Sequence, residues 1–115
     1  MSKNRLPDYL EHMRQAAKDA RSFVDGMRKE DFIGDKRTQQ AVIMSLVIIG
    51  EVATKIMEGY PEFAARHSTI PWRSIRGMRN RIAHGYFDIN PDVVWETVDT
   101  ALPDMVRNLC AIDEK

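Results

Sequence analysis

The residues best suited to chemistry lie together between Trp72 and Phe87, WRSIRGMRNRIAHGYF. This stretch carries four arginines (Arg73, Arg76, Arg79, Arg81), one histidine (His84) and two adjoining aromatics (Tyr86, Phe87), and it contains no acid. The whole chain has 17 basic and 17 acidic residues and a formal net charge of zero, so the positive charge here is a local concentration. Histidine can take or give a proton near neutral pH. Arginine offers a fixed charge and a planar fork that fits phosphate oxygens. Proton transfer beside an anionic substrate is the chemistry these types suit. Plainer roles stand beside it. His84 could cap the last carbonyls of a helix. Arg73 and Arg76 are more often a solvated helix face than specific ligands. Tyr86 could pack behind a loop or serve as a base-stacking surface.

A helix must position these residues. Pro71 suits the first helical position, where its missing N–H costs nothing. Ile75, Met78 and Ile82 recur at three- and four-residue spacing and form one apolar stripe. Gly85 is expected in the left-handed conformation that closes a helix. Asn80 stands four residues before His84, so the two share a face, and Arg76 continues that row one turn earlier. Arg79 is five residues from His84, about 140° round the helix. One helix therefore does not aim Arg79 and His84 at the same atom without long side-chain reach or a second copy of the helix.

Arg79-Asn80-Arg81-Ile82-Ala83-His84-Gly85-Tyr86 resembles the R-x4-H-x-Y motif of the HepT-like proteins, small toxins of the HEPN (higher-eukaryote and prokaryote nucleotide-binding) superfamily. The polar Asn80 directly after the arginine fits the same pattern. The resemblance covers nearly the whole chain: the Gly50-Glu51 pair, the Pro71-Trp72 step and the downstream Ile89-Asn90-Pro91…Val94-Trp95 are also similar to HepT sequences.

The resemblance implies a metal-independent endoribonuclease, the toxin of a toxin–antitoxin pair. RNA carries its own nucleophile, the 2′-OH beside the scissile phosphate. The enzyme needs a group to take that proton, a group to protonate the leaving 5′-oxygen, and positive charge on the transition state. Arg79 and His84 would be catalytic and Asn80 supporting, with Arg73, Arg76 and Arg81 contacting RNA. The site would be a cleft between two protomers of a homodimer, or of a higher oligomer. The partner implied is an MntA-type minimal nucleotidyltransferase antitoxin that transfers AMP onto Tyr86. Added phosphates would then crowd the cleft and occupy its donors. Two other readings remain open. One is a non-catalytic HEPN module that binds nucleotide or RNA, or scaffolds a nucleotidyltransferase. The weaker one is the substrate-binding subunit of a two-chain nucleotidyltransferase.

The remaining composition narrows the class. With 115 residues the chain suits one domain, 1–115. Its one cysteine, Cys110, excludes an internal disulfide and is expected as a small core or interface side chain. The start, MSKNRLPDYLEHM, has no apolar signal region. The longest apolar stretch, Ala41 to Ile49, falls short of the ~20 residues of a membrane span. A cytoplasmic protein without membrane segments is expected. Neutral net charge argues against broad coating of nucleic acid. His12 and His67 have no companions at metal-ligand spacing, no zinc cluster is present, and Gly77 and Gly85 stand alone rather than in a phosphate loop. No cofactor or metal is expected.

The elements read as all-α: an antiparallel four-helix bundle of HEPN type with a short extra helical turn. Leu6, Tyr9/Leu10, Met13, Ala16/Ala17, Ala20, Phe23/Val24 and Met27 mark a first helix that frays near Gly26. Arg28 to Asp35 reads as a connection, with Asp35 capping a second helix from Lys36 to Glu58. Ala41 to Ile49 is apolar on nearly every face, so part of it is expected to meet another subunit. Glu51, the lone charge between Thr38 and Thr54, either pairs with Arg79 or Arg81 or reaches solvent. Pro61 to Ser68 makes the short turn. Asn90 caps a last helix that begins at Pro91, and Pro103 kinks it. Trp72 and Trp95 are expected in the core.

Overall fold

Two cation-to-carbonyl bonds set the direction of the bundle. Arg14 Nε donates to the Leu109 carbonyl at 3.0 Å and Arg21 Nη1 to the Val98 carbonyl at 2.9 Å. As the first helix runs from 14 to 21, the last runs from 109 to 98 beside it, so the two are antiparallel. The computed structural model describes residues 4–85 and 89–112. Its helices are α1 (Leu6–Phe23), α2 (Lys29–Ile33), α3 (Lys36–Gly59), α4 (Pro61–Arg66), α5 (Trp72–His84), α6 (Pro91–Glu96) and α7 (Leu102–Cys110). A wider π-helical turn, Thr97–Ala101, joins α6 to α7. Four rods, α1, α3, α5 and the α6–α7 pair, form the expected all-α bundle, and no strand occurs among the described residues.

Each rod buries one stripe. On α1 that stripe is Leu10, Met13, Ala16, Ala17 and Ala20, and α1 packs against α3. The apolar stripe outruns the helix: α1 ends at Phe23, yet Val24 is still buried and Met27 still packs on the core. Gly26, at φ 78°, makes the bend between them in a region that side chains rarely adopt. The expected connection 28–35 holds α2, whose Phe32 is fully buried with its ring 5.5 Å from that of Trp95. Five residues are too few to display a helical period, which is why the pattern missed it.

Asp35 caps α3 as expected. Its Oδ1 accepts from the Thr38 N–H at 3.1 Å and its Oδ2 from the Thr38 hydroxyl at 2.8 Å. The backbone bond first, then the hydroxyl bond, holds this carboxyl below its ordinary value. Contrary to the reading of Ala41–Ile49 alone, α3 is long enough and, over an 18-residue window with mean hydropathy 1.6, apolar enough to cross a bilayer by length and composition. In the bundle it is the central rod, in contact with α1, α5, α4, α2 and α6. Met44 and Ile48 stay exposed on it, at 60% and 42%.

At the C-terminal rod, Asn90 Oδ1 accepts from the Asp92 N–H at 2.8 Å and Pro91 opens α6. Pro103 has no N–H to offer the Asp99 carbonyl, and the chain widens just before it into the π turn. Cys110 is exposed rather than packed in the core. Trp72 is buried and Trp95 half-buried.

Candidate active site

The seat of Arg79 begins with a missing side chain on α3. A Cβ on Gly50 would lie 2.3 Å from Arg79 Cβ and 2.7 Å from its Cγ, so only glycine lets α3 and α5 approach this closely. The guanidinium then lies along α3. Its Nη2 donates to Thr54 Oγ1 at 3.3 Å, while the Thr54 hydroxyl donates to the Gly50 carbonyl at 2.8 Å. That second bond turns the Thr54 lone pairs toward the arginine. Arg79 Nε stands 3.0 Å from Glu51 Oε1, but the N–H is not aimed at the carboxylate. The contact is an ion pair without an aligned hydrogen bond.

Both alternatives for Glu51 therefore hold together: its side chain is 52% exposed and it pairs with Arg79, which is 25% exposed. Solvent screens such a pair, so its value lies in aim more than in stability. Arg81, the other candidate partner, is exposed and has no ion pair among the described residues. Thr54 was missed by the sequence reading. Its position four residues after Gly50 places it on the same face of α3.

His84 ends α5 on the other side of the helix from this seat. It is exposed, as is Asn80 one turn earlier. The Gly85 N–H closes the helix on the Arg81 carbonyl at 2.9 Å. Gly85 is not left-handed: at φ −129° it leaves the helix through backbone that any residue adopts. No hydrogen bond or ion pair joins Arg79 to His84 among the described residues. A single chain thus holds them on one helix, facing apart. Arg73 is exposed and Arg76 half-buried, and neither has an acidic partner among the described residues. Tyr86 and Phe87 lie outside the described residues. His12 is exposed, and the His67 ring packs 4.4 Å from that of Phe63. Among the described residues no three His, Cys, Asp or Glu side chains gather where a metal could be held.

The family model described as "Ribonuclease HepT-like" matches residues 13–112. "Probable ribonuclease HepT" of Thermococcus cleftensis is 39% identical over 98 residues, covering 85% of this chain and 86% of its own length. "Putative RNase TTE0752" of Caldanaerobacter subterraneus subsp. tengcongensis is 36% identical over 107 residues, covering 93% of each chain. "Putative RNase MJ0127" of Methanocaldococcus jannaschii is 34% identical over 104 residues, covering 90% of this chain and 80% of its own. No solved structure matches the chain.

Proposed function

Because the chain belongs to the ribonuclease HepT-like family, we propose that it is the toxin of a cytoplasmic toxin–antitoxin pair, an endoribonuclease that cuts RNA without a metal at a composite Arg79/His84 site. The observation that carries this reading is the seat of Arg79: Gly50 makes room for it, Thr54 accepts from it and Glu51 pairs with it, on the helix that ends in an exposed His84.

The chemistry runs on the substrate's own 2′-OH. A neutral imidazole takes its proton as the 2′-oxygen attacks phosphorus. The P–O5′ bond breaks, leaving a 2′,3′-cyclic phosphate, and an imidazolium returns a proton to the departing 5′-oxygen. Arg79 is held by its Nη2 bond to Thr54 and by its ion pair with Glu51, which leaves other N–H groups of the guanidinium to donate to the phosphate oxygens. That aim costs no reorganisation as charge builds on the transition state. Two histidines are needed for the two proton steps, and the helix separates Arg79 from His84 by about 140°. A homodimer, or a higher oligomer built from it, supplies the second of each, and the exposed Met44 and Ile48 on α3 give apolar surface for such a contact. Asn80, beside His84, steadies the imidazole or a phosphate oxygen. Arg73, Arg76 and Arg81 attract the strand.

An MntA-like nucleotidyltransferase antitoxin silences the site by AMP transfer. The Tyr86 phenolate oxygen attacks the α-phosphate of ATP and pyrophosphate leaves, and the new phosphates compete with RNA for the arginines.

The test is an RNA digest in chelator. Products are expected to carry 5′-hydroxyl and 2′,3′-cyclic phosphate ends, and a 2′-deoxy substitution at the cut is expected to stop cleavage. After co-expression with the nucleotidyltransferase, cleavage falls and the Tyr86 peptide gains one or more adenylate masses. Cleavage of the 2′-deoxy substrate would overturn the mechanism. Inhibition with an unmodified Tyr86 would overturn the AMP-transfer step.

A further inference from the structure

We propose that the cavity beside the start of α5 is a nucleobase subsite, which takes the base of the nucleotide adjoining the phosphate held by Arg79. The proposal rests on the ribonuclease reading and adds to it a place where the sequence around the cut is sensed.

The cavity, about 450 Å³, opens between the end of α3, α4 and the start of α5. Its floor is apolar: Met57, Ile70 at 1% exposure and Trp72 at 6%. The floor is also rigid. Trp72 Nε1 donates to the Ala64 and His67 carbonyls, at 3.1 Å each, which ties the end of α4 to the start of α5. The mouth is lined by Ala65 and Ser68, both exposed.

The rim has the opposite character. Arg73 and Arg76 line it, no acidic residue does, and neither arginine has an ion pair among the described residues. In a chain of zero net charge with 17 acids, two cations left together at one apolar opening select an anion. The volume lies in the range of sites that enclose a small molecule, roughly 300–1,000 Å³. A flat, largely apolar ring joined to a phosphate meets both halves of this chemistry, and single-stranded RNA offers such a unit at every step.

The placement identifies which nucleotide it takes. Arg76 precedes Arg79 by one turn of α5, a rise of about 4.5 Å and a rotation of about 60°. Arg76 lines the cavity, and Arg79, one turn further on, is seated against Gly50 of α3, so the cavity lies within one helical turn of the candidate site. A strand whose scissile phosphate meets Arg79 reaches Arg76 with the neighbouring phosphate, and the base between them is at the cavity mouth.

The test measures binding without cleavage. His84→Ala protein is titrated with a short labelled single-stranded RNA, and then with copies in which one abasic residue is stepped along the strand. Abasic substitution at one position is expected to weaken binding about tenfold, the worth of one held base. Ala65→Phe fills the mouth from an exposed position; with Tm held, it should flatten this profile. Arg76→Ala should weaken every RNA in the set. A flat profile with the unfilled cavity, or an Ala65→Phe protein that keeps the tenfold step, overturns the subsite. Cleavage assays separate the two failures: RNA cut by the parent protein with a flat profile removes the subsite alone, whereas absence of both cleavage and binding removes the ribonuclease reading with it.

Discussion

Arg79 and His84 belong to one 13-residue helix, but the protein treats them in opposite ways. Arg79 is pressed against α3 where a glycine gives way to it, and its nitrogens meet Thr54 and Glu51. His84 stands exposed at the helix end, its side chain making no hydrogen bond or ion pair with another described residue. The fixed place suits the proposed role of Arg79, a fixed charge whose effect depends on aim. Exposure suits the proposed role of His84, a proton carrier that must meet substrate and exchange protons with its surroundings. On the proposed function, one half of the site is finished within the chain, and RNA and a second protomer would complete the other.

The two glycines that flank this contrast sharpen it most. Gly50 and Gly77 are both helical, yet a Cβ would collide with Arg79 at the first and meet only Arg81 Nη1, at 3.6 Å, at the second. Gly50→Ala is expected to force α3 and α5 apart and to cost about 1–3 kcal/mol, as overpacking does. Gly77→Ala should instead add up to about 1 kcal/mol through helix propensity, raising Tm by a few degrees. Thermal unfolding of both variants checks this. Equal shifts would mean that the Arg79 seat is not a tight contact.

A smaller effect is expected at Glu51. Glu51→Gln keeps an acceptor beside Arg79 and removes the charge. Since Glu51 is half exposed, stability should change by no more than about 0.5 kcal/mol. Turnover should fall about tenfold, as a loosened fork meets the phosphate less often in the productive pose. An unchanged kcat would reduce Glu51 to a surface charge.

Much of the scaffold was legible in the sequence because long helices repeat their signals. Asp35 before α3, Asn90-Pro91 at α6 and the stripe Ile75, Met78, Ile82 each announce an element by spacing or capping. The misses come from features too short or too distant for such signals. Phe32 anchors a helix of five residues. The apolar stripe of α1 continues through Val24 and Met27 after the helix has turned at Gly26. Gly85 sits where a helix-closing glycine belongs, yet its backbone is ordinary. The site was half legible. Arg79 and His84 stand out by type and spacing, and Glu51 by its isolation, but the use of Gly50 and Thr54 depends on a contact across 29 and 25 residues that spacing alone does not reveal.

The central claim is that these two side chains, so differently housed, serve one reaction. The most direct measurement is the rate of RNA cleavage in chelator by parent, Arg79→Ala and His84→Ala proteins of matched Tm. The account predicts that each substitution lowers kcat by about 10²–10⁴, the range for a lost proton-transfer group or oxyanion donor. Cleavage by His84→Ala at the parental rate would contradict it.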